Sequence, residues 1–190
     1  MSNNVVGKKI STMCADRSIS VEELSERSGL AVEQINLILN SDTVPSLSPL
    51  IKIARALGVR LGTFLDDSSA FGPVVYRQSE QKETVTFSSQ LSSTNSHLDF
   101  LALASSKSGR AMEPFLIDVE PAAKQTPLLS SHEGEEFIYV LEGTVKINYG
   151  NEEYVLNAGE SIYYDSIVEH LVTSHNGSSA KLLAVVYTPM

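Results

Sequence analysis

The chain has 190 residues, 42 % of them hydrophobic, a formal net charge of −9 and a mean hydropathy of −0.01. That length and composition suit one large or two small globular domains and exclude a disordered chain. The longest apolar runs, such as LLAVVY (182–187), are too short for a membrane span, so no membrane partner is expected. The single cysteine, Cys14, excludes an internal disulfide, and the opening MSNNVVGKK has no apolar core of signal-peptide length. A reducing, cytoplasmic location is the expectation.

Charge divides the chain. Residues 1–66 hold seven Lys/Arg and seven Asp/Glu, whereas 67–190 hold seven basic and sixteen acidic residues and so carry the whole −9. Two parts with different work are expected: 1–66, a linker over 67–97, and 98–190 with a core at 113–188.

The first part alternates at helical period. Val6, Ile10, Met13 and Cys14 share one face, which makes Cys14 a small core residue. Ser20 with Glu23 three residues on is a capping box, and Gly29 stands where that helix stops. Ile35, Ile38 and Leu39 stripe the next helix, and Ser46 or Ser48 caps a fourth, with Pro49 in its first turn. Leu61, Phe64 and Leu65 begin a fifth. Short helices joined by a tight glycine turn form a helix-turn-helix.

On Gly7, Ile10, Arg17, Ser20, Glu23, Leu24, Gly29, Ile35, Pro45, Leu50, Gly58 and Phe64, residues 6–65 resemble the lambda-repressor-like DNA-binding domain of xenobiotic-response-type bacterial regulators. The resemblance implies a recognition helix over 31–40 that reads a double-stranded operator. Gln34 and Asn36 suit base edges, Glu33 suits cytosine N4, and Val32 and Leu37 suit thymine methyls. Lys8, Lys9 and Arg17 are candidate phosphate contacts.

The linker is polar and serine-rich, with one alternating run, TVTF (84–87), fit for an edge strand. His97 is expected at the surface. From residue 98 the period becomes two. LDFLAL, EPFLIDVE, FIYVLEG, TVKINYG, EEYVLNAG, SIYYD, HLVTS and KLLAVVYTP are each bounded by Gly, Pro, Asn or Ser. Strands without intervening helices predict a sandwich or closed barrel.

Even spacing puts Ser130, His132, Glu136, Ile138 and Val140 on one face, with His170 and Val172 doing likewise later. His132, Glu136 and His170 make a two-histidine, one-carboxylate set fit for a divalent metal, iron or zinc. A barrel without metal would keep the histidines as pocket residues. Ser130, Ile138, Val140, Tyr164 and Val172 are pocket candidates. Phe115, Ile117, Ile147, Ile162, Leu183 and Val185 are expected inward, as is one of Tyr163 and Tyr164. Glu133 and Glu135 are expected to face out, unless a bulge at Gly134 turns Glu135 inward as the ligand instead.

Residues 113–188 resemble a conserved-barrel cupin, with a first motif from Ser130 to Gly143 and a second, GESIYYDSIVEH, from Gly159 to His170. The usual motif has a histidine where this chain has Ser130. Together the two resemblances imply an α + β protein of two domains, a five-helix lambda-repressor-like bundle and an all-β cupin jelly-roll barrel. They imply a transcriptional regulator that binds DNA as a homodimer and senses a small-molecule effector. The alternative is a mononuclear non-haem iron oxygenase or epoxidase-like cupin.

Overall fold

The structure is a computed structural model and describes residues 5–40, 46–65, 72–78, 86–88, 98–107, 109–121 and 129–189. Pro45, His97 and most of the expected linker lie outside the described residues.

Five helices form the head: α1 (Val5–Asp16), α2 (Val21–Ser28), α3 (Val32–Asn40), α4 (Leu47–Ala56) and α5 (Gly62–Leu65). Their inward stripes meet in one core, with Ile10, Leu24, Ile35, Leu50, Ile53 and Phe64 fully buried. Each such side chain contributes about 1.5–3 kcal/mol. Ser20 caps α2 by accepting from the Glu23 amide at 3.1 Å. The reciprocal half of the capping box is absent, because the Glu23 carboxylate pairs with Arg27 one turn on. Gly29 ends α2 in the left-handed region. At α4 Ser46 occupies the N-cap position, as expected, in extended backbone but without a side-chain cap hydrogen bond. Ser48 instead donates to the carbonyl of Ser131, 83 residues away, at 3.2 Å.

All eight strand-like runs of the C-terminal part form strands: β2 (Leu98–Ala102), β3 (Met112–Val119), β4 (Glu135–Glu142), β5 (Thr144–Tyr149), β6 (Glu152–Asn157), β7 (Ser161–Asp165), β8 (His170–Ser174) and β9 (Ala180–Tyr187). A short strand, β1 (Thr86–Ser88), lies at the TVTF run and pairs with β2 at the sheet edge. The order is β1-β2-β3-β9-β4-β7 in one antiparallel sheet and β6-β5-β8 in another, as in a jelly roll. The space between them is filled by Phe115, Val119, Ile138, Val140, Val145, Ile147, Leu182 and Val186.

One parity expectation is corrected. Leu183 and Val185 of β9 lie on the outer side, only half-buried, while Leu182, Ala184 and Val186 point in. The run is apolar on both faces, so its composition carries no phase.

Among the described residues, hydrogen bonds and ion pairs hold head and barrel together at two places. At one, α4 touches the segment before β4 through Ser48–Ser131 and through an Arg55–Glu133 ion pair of 2.6 Å. At the other, Arg60 donates to the Gly109 carbonyl, and Gly62 abuts a buried Arg110–Glu113 ion pair of 2.7 Å.

Candidate functional site

The two cupin motif segments are fastened to each other by backbone. Ser130 and His170 exchange both amide-to-carbonyl bonds, at 2.8 and 2.9 Å. The His132 amide donates to Ser166 and the Ser166 amide to Gly134, at 3.0 and 2.8 Å. Ser130 thus brings the two histidines together through its main chain. His132, Glu136 and His170 converge, with ligand atoms all within 4.8 Å of one another, and are 4 %, 8 % and 3 % exposed. His132 Nε2 lies 2.7 Å and His170 Nε2 3.6 Å from the same Glu136 Oε1, and the two rings stand edge to face.

Hydrogen bonds on the far side of each ring decide what this cluster can hold. His132 Nδ1 lies 3.1 Å from the Glu133 carbonyl and His170 Nδ1 2.8 Å from the Val168 carbonyl. A carbonyl only accepts, so each Nδ1 carries a proton. In the neutral rings both Nε2 lone pairs then face Glu136 Oε1. Three acceptors aimed at one point need a proton or a cation between them. With bonds of about 2.1 Å at right angles, a metal would hold its ligand atoms about 3 Å apart, a spacing between the two distances seen. The donor set therefore fits a divalent metal.

Charge agrees with this. Burial alone would raise the Glu136 carboxyl, but hydrogen bonds and charge from His132 and His170 outweigh it and hold the group far below the usual carboxylate range. Burial works against a charged His170 too, yet the Glu136 hydrogen bond and charge, with the Val168 carbonyl, raise its pKa above the ordinary value. Tyr164 donates from its hydroxyl to the other oxygen, Glu136 Oε2, at 2.6 Å. Burial first, then the Glu136 charge, push the Tyr164 phenol far above its ordinary pKa, so it remains a donor.

Of the pocket candidates, Ile138 and Val140 are buried, Val172 packs against the core, and Tyr164 points in while Tyr163 is 62 % exposed. Ser130 is half-buried. Glu133 and Glu135 face away from the cluster, to Arg55 and the Tyr163 hydroxyl. Tyr149 was missed: its ring lies 5.3 Å from that of Tyr164, which lies 5.1 Å from His170. Its parity with the buried Val145 and Ile147 was the available signal. A cleft of about 140 Å³ opens beside His132, between barrel and head, lined by Ile51, Lys52, Arg55, Glu133 and Ile167.

On α3, Glu33, Gln34, Asn36 and Leu37 are exposed, Val32 is half-buried, and Ile35 and Ile38 anchor the helix. Leu37 is 51 % exposed, an apolar side chain on a polar face.

Residues 9–69 match the Cro/C1-type HTH DNA-binding domain, and residues 115–186 match the cupin domain. The chain is 21 % identical to the HTH-type transcriptional regulator PuuR of Escherichia coli (strain K12), over 96 % of this chain and 94 % of that protein. The chain joins a Cro/C1-type HTH DNA-binding domain to a cupin domain, the arrangement of a DNA-binding transcriptional regulator. It is also 27 % identical to the (S)-2-hydroxypropylphosphonic acid epoxidase of Streptomyces wedmorensis, over 74 % of this chain and 73 % of that one. A crystal structure of an HTH_3 family transcriptional regulator from Vibrio cholerae shares the fold with a TM-score of 0.68 at 19 % identity, covering 100 % of this chain and 98 % of that one.

In this regulator Lys9 and Arg17, both expected at phosphates, have partners inside the head. Lys9 Nζ donates to the Phe64 carbonyl at 3.2 Å, and Arg17 donates to the Leu57 carbonyl at the end of α4. Both tie α1 to later helices by satisfying carbonyls that helix ends leave open. Lys8 stands exposed on α1. No helix among the described residues is long and apolar enough to cross a membrane.

Proposed function

We propose that this regulator reads a double-stranded DNA operator as a homodimer, in the cytoplasm, and that its barrel senses a small-molecule effector at a divalent metal, iron or zinc. In this reading Gln34, Asn36, Glu33, Val32 and Leu37 face base edges, and Lys8 faces phosphate with lesser shares from Lys9 and Arg17. His132, Glu136 and His170 hold the metal, and Ser130, Ile138, Val140, Tyr164 and Val172 border the effector. The observation that supports it best is the buried convergence of three acceptors on one point, in a segment whose neighbours Ser131 and Glu133 are gripped by α4. A metal bound there supplies a Lewis-acidic centre with open positions for a small ligand.

The test is selection of bound duplexes from a randomised pool, by the full chain with and without iron or zinc. Gln34→Ala is expected to relax preference at particular base pairs, by about 1–3 kcal/mol each. Equal loss across all sequences would count against α3 as the reading helix. His132→Ala is expected to abolish metal binding, and unchanged metal content in that variant would overturn the ligand assignment. The same donor set serves non-haem iron oxygenases. Oxygen uptake by the iron-loaded chain is therefore the control, and sensing alone predicts no substrate-dependent uptake.

A further inference from the structure

The cleft beside His132 lies where the head meets the barrel, and neither the metal cluster nor the reading helix accounts for it. One side is built by α4, the other by the two cupin motif segments and the chain just past β9. Lys52 and Arg55 stand three residues apart on α4 and so share one face of it. Arg55 is paired with Glu133 at 2.6 Å. Lys52 is half-buried and has no ion pair with any described residue. The lining therefore carries one uncompensated positive charge, in a chain whose net charge is −9.

The rest of the lining is of two kinds. Ile51 is buried and Val59 half-buried, while Ile167 is 62 % exposed, with aliphatic surface that a guest can cover. The hydroxyls differ in what they have left to give. Ser131 donates its proton to the Ile167 carbonyl at 2.9 Å. Ser28 only accepts, from the Leu30 amide at 3.4 Å, so its own proton stays available to an acceptor.

Size, charge and polarity together select the guest. A volume of about 140 Å³ falls short of the about 300–1,000 Å³ that drug-sized ligands fill, which excludes a nucleotide. One free cation answers one negative charge. A phosphate dianion would bring a second charge beside Glu133 and leave the aliphatic walls uncovered.

We propose that this cleft binds a small monocarboxylate with a short branched hydrocarbon tail. Lys52 and Ser28 hold the carboxylate, and Ile51, Val59 and Ile167 cover the tail. The site is separate from the pocket inside the barrel and needs neither the metal nor the operator of the functional reading.

The test is a ligand-observed NMR titration of the full chain, treated with chelator so that no metal can take the acid. The probe is 3-methylbutanoate, and 3-methylbutanamide is its neutral isostere. Saturable binding of the acid with a Kd of about 0.1–1 mM is expected, and about tenfold weaker binding of the amide. Lys52→Met keeps the stem and removes the charge, so it is expected to weaken the acid about tenfold and to erase the preference over the amide. Ile167→Asp, at a residue outside the packed core, is expected to weaken both probes and the acid more. Thermal unfolding confirms that each variant is folded. A parent with no saturable binding, equal binding of acid and amide, or folded variants with the parent's affinity would overturn the site.

Discussion

Tyr164 shapes the cluster without belonging to the metal's donor set. By holding Glu136 Oε2 at 2.6 Å it leaves Oε1 alone to face both imidazoles, and so presents a one-oxygen ligand. Such orienting groups typically account for ten- to hundredfold in metal affinity. Tyr164→Phe is expected to weaken iron or zinc binding by about that factor with little loss of fold, as chelator competition would show. The proton and the metal compete for the same nitrogens. His170 is raised above its ordinary 6.5, so its contribution to metal-free stability is full below that value and is lost as pH rises through its folded pKa. Glu136 is depressed below its ordinary 4.5, so its contribution is present above that and is lost as pH falls through its folded pKa. Metal affinity is therefore expected to climb as pH rises through the folded pKa of His170, with proton release detectable by calorimetry in buffers of different ionisation enthalpy.

The segment that enters β4 depends on one turn. Gly134 has φ 104, and a Cβ there would stand 1.9 Å from the Tyr187 carbonyl oxygen at the end of β9. Gly134→Ala must displace backbone, so it is expected to lower Tm and to dissociate metal together, whereas Ser20→Ala at the α2 cap costs about 1 kcal/mol and spares metal. Glu136 was legible in the sequence because alternation along β4 has one clear phase, with Ile138 and Val140 marking the inside, whereas His132 reaches the same side across the Gly134 turn and not along a strand. The phase of β9 was not legible, because KLLAVVY is apolar at every position but its first and last, and its outer leucine and valine are half-buried. The partners that Lys9, Arg17 and Ser48 have in the fold were hidden for another reason. They lie 55, 40 and 83 residues away, beyond any local pattern, and local rules assign such side chains to caps or solvent.

Across the whole molecule, three consecutive residues join the two functions. Ser131 and Glu133 are held by Ser48 and Arg55 of α4, and His132 between them belongs to the buried cluster. An ion pair as exposed as Arg55–Glu133 adds little stability, but a ligand that shifts His132 acts on two grips that also fix α4. If metal or effector changes duplex affinity in the parent, the Ser48→Ala/Arg55→Ala double variant is expected to lose most of that difference while retaining metal, as fluorescence anisotropy with and without metal would measure. Coupling of this kind is typically about 1–3 kcal/mol. The second grip is packed without slack. A methyl group on residue 62 would sit 2.8 Å from the Glu113 carboxylate and 3.0 Å from the Arg110 guanidinium, both walled in. The seam between reading head and sensor thus leaves no width for one more carbon, and the smallest enlargement at that spot must displace either α5 or the buried ion pair beneath it.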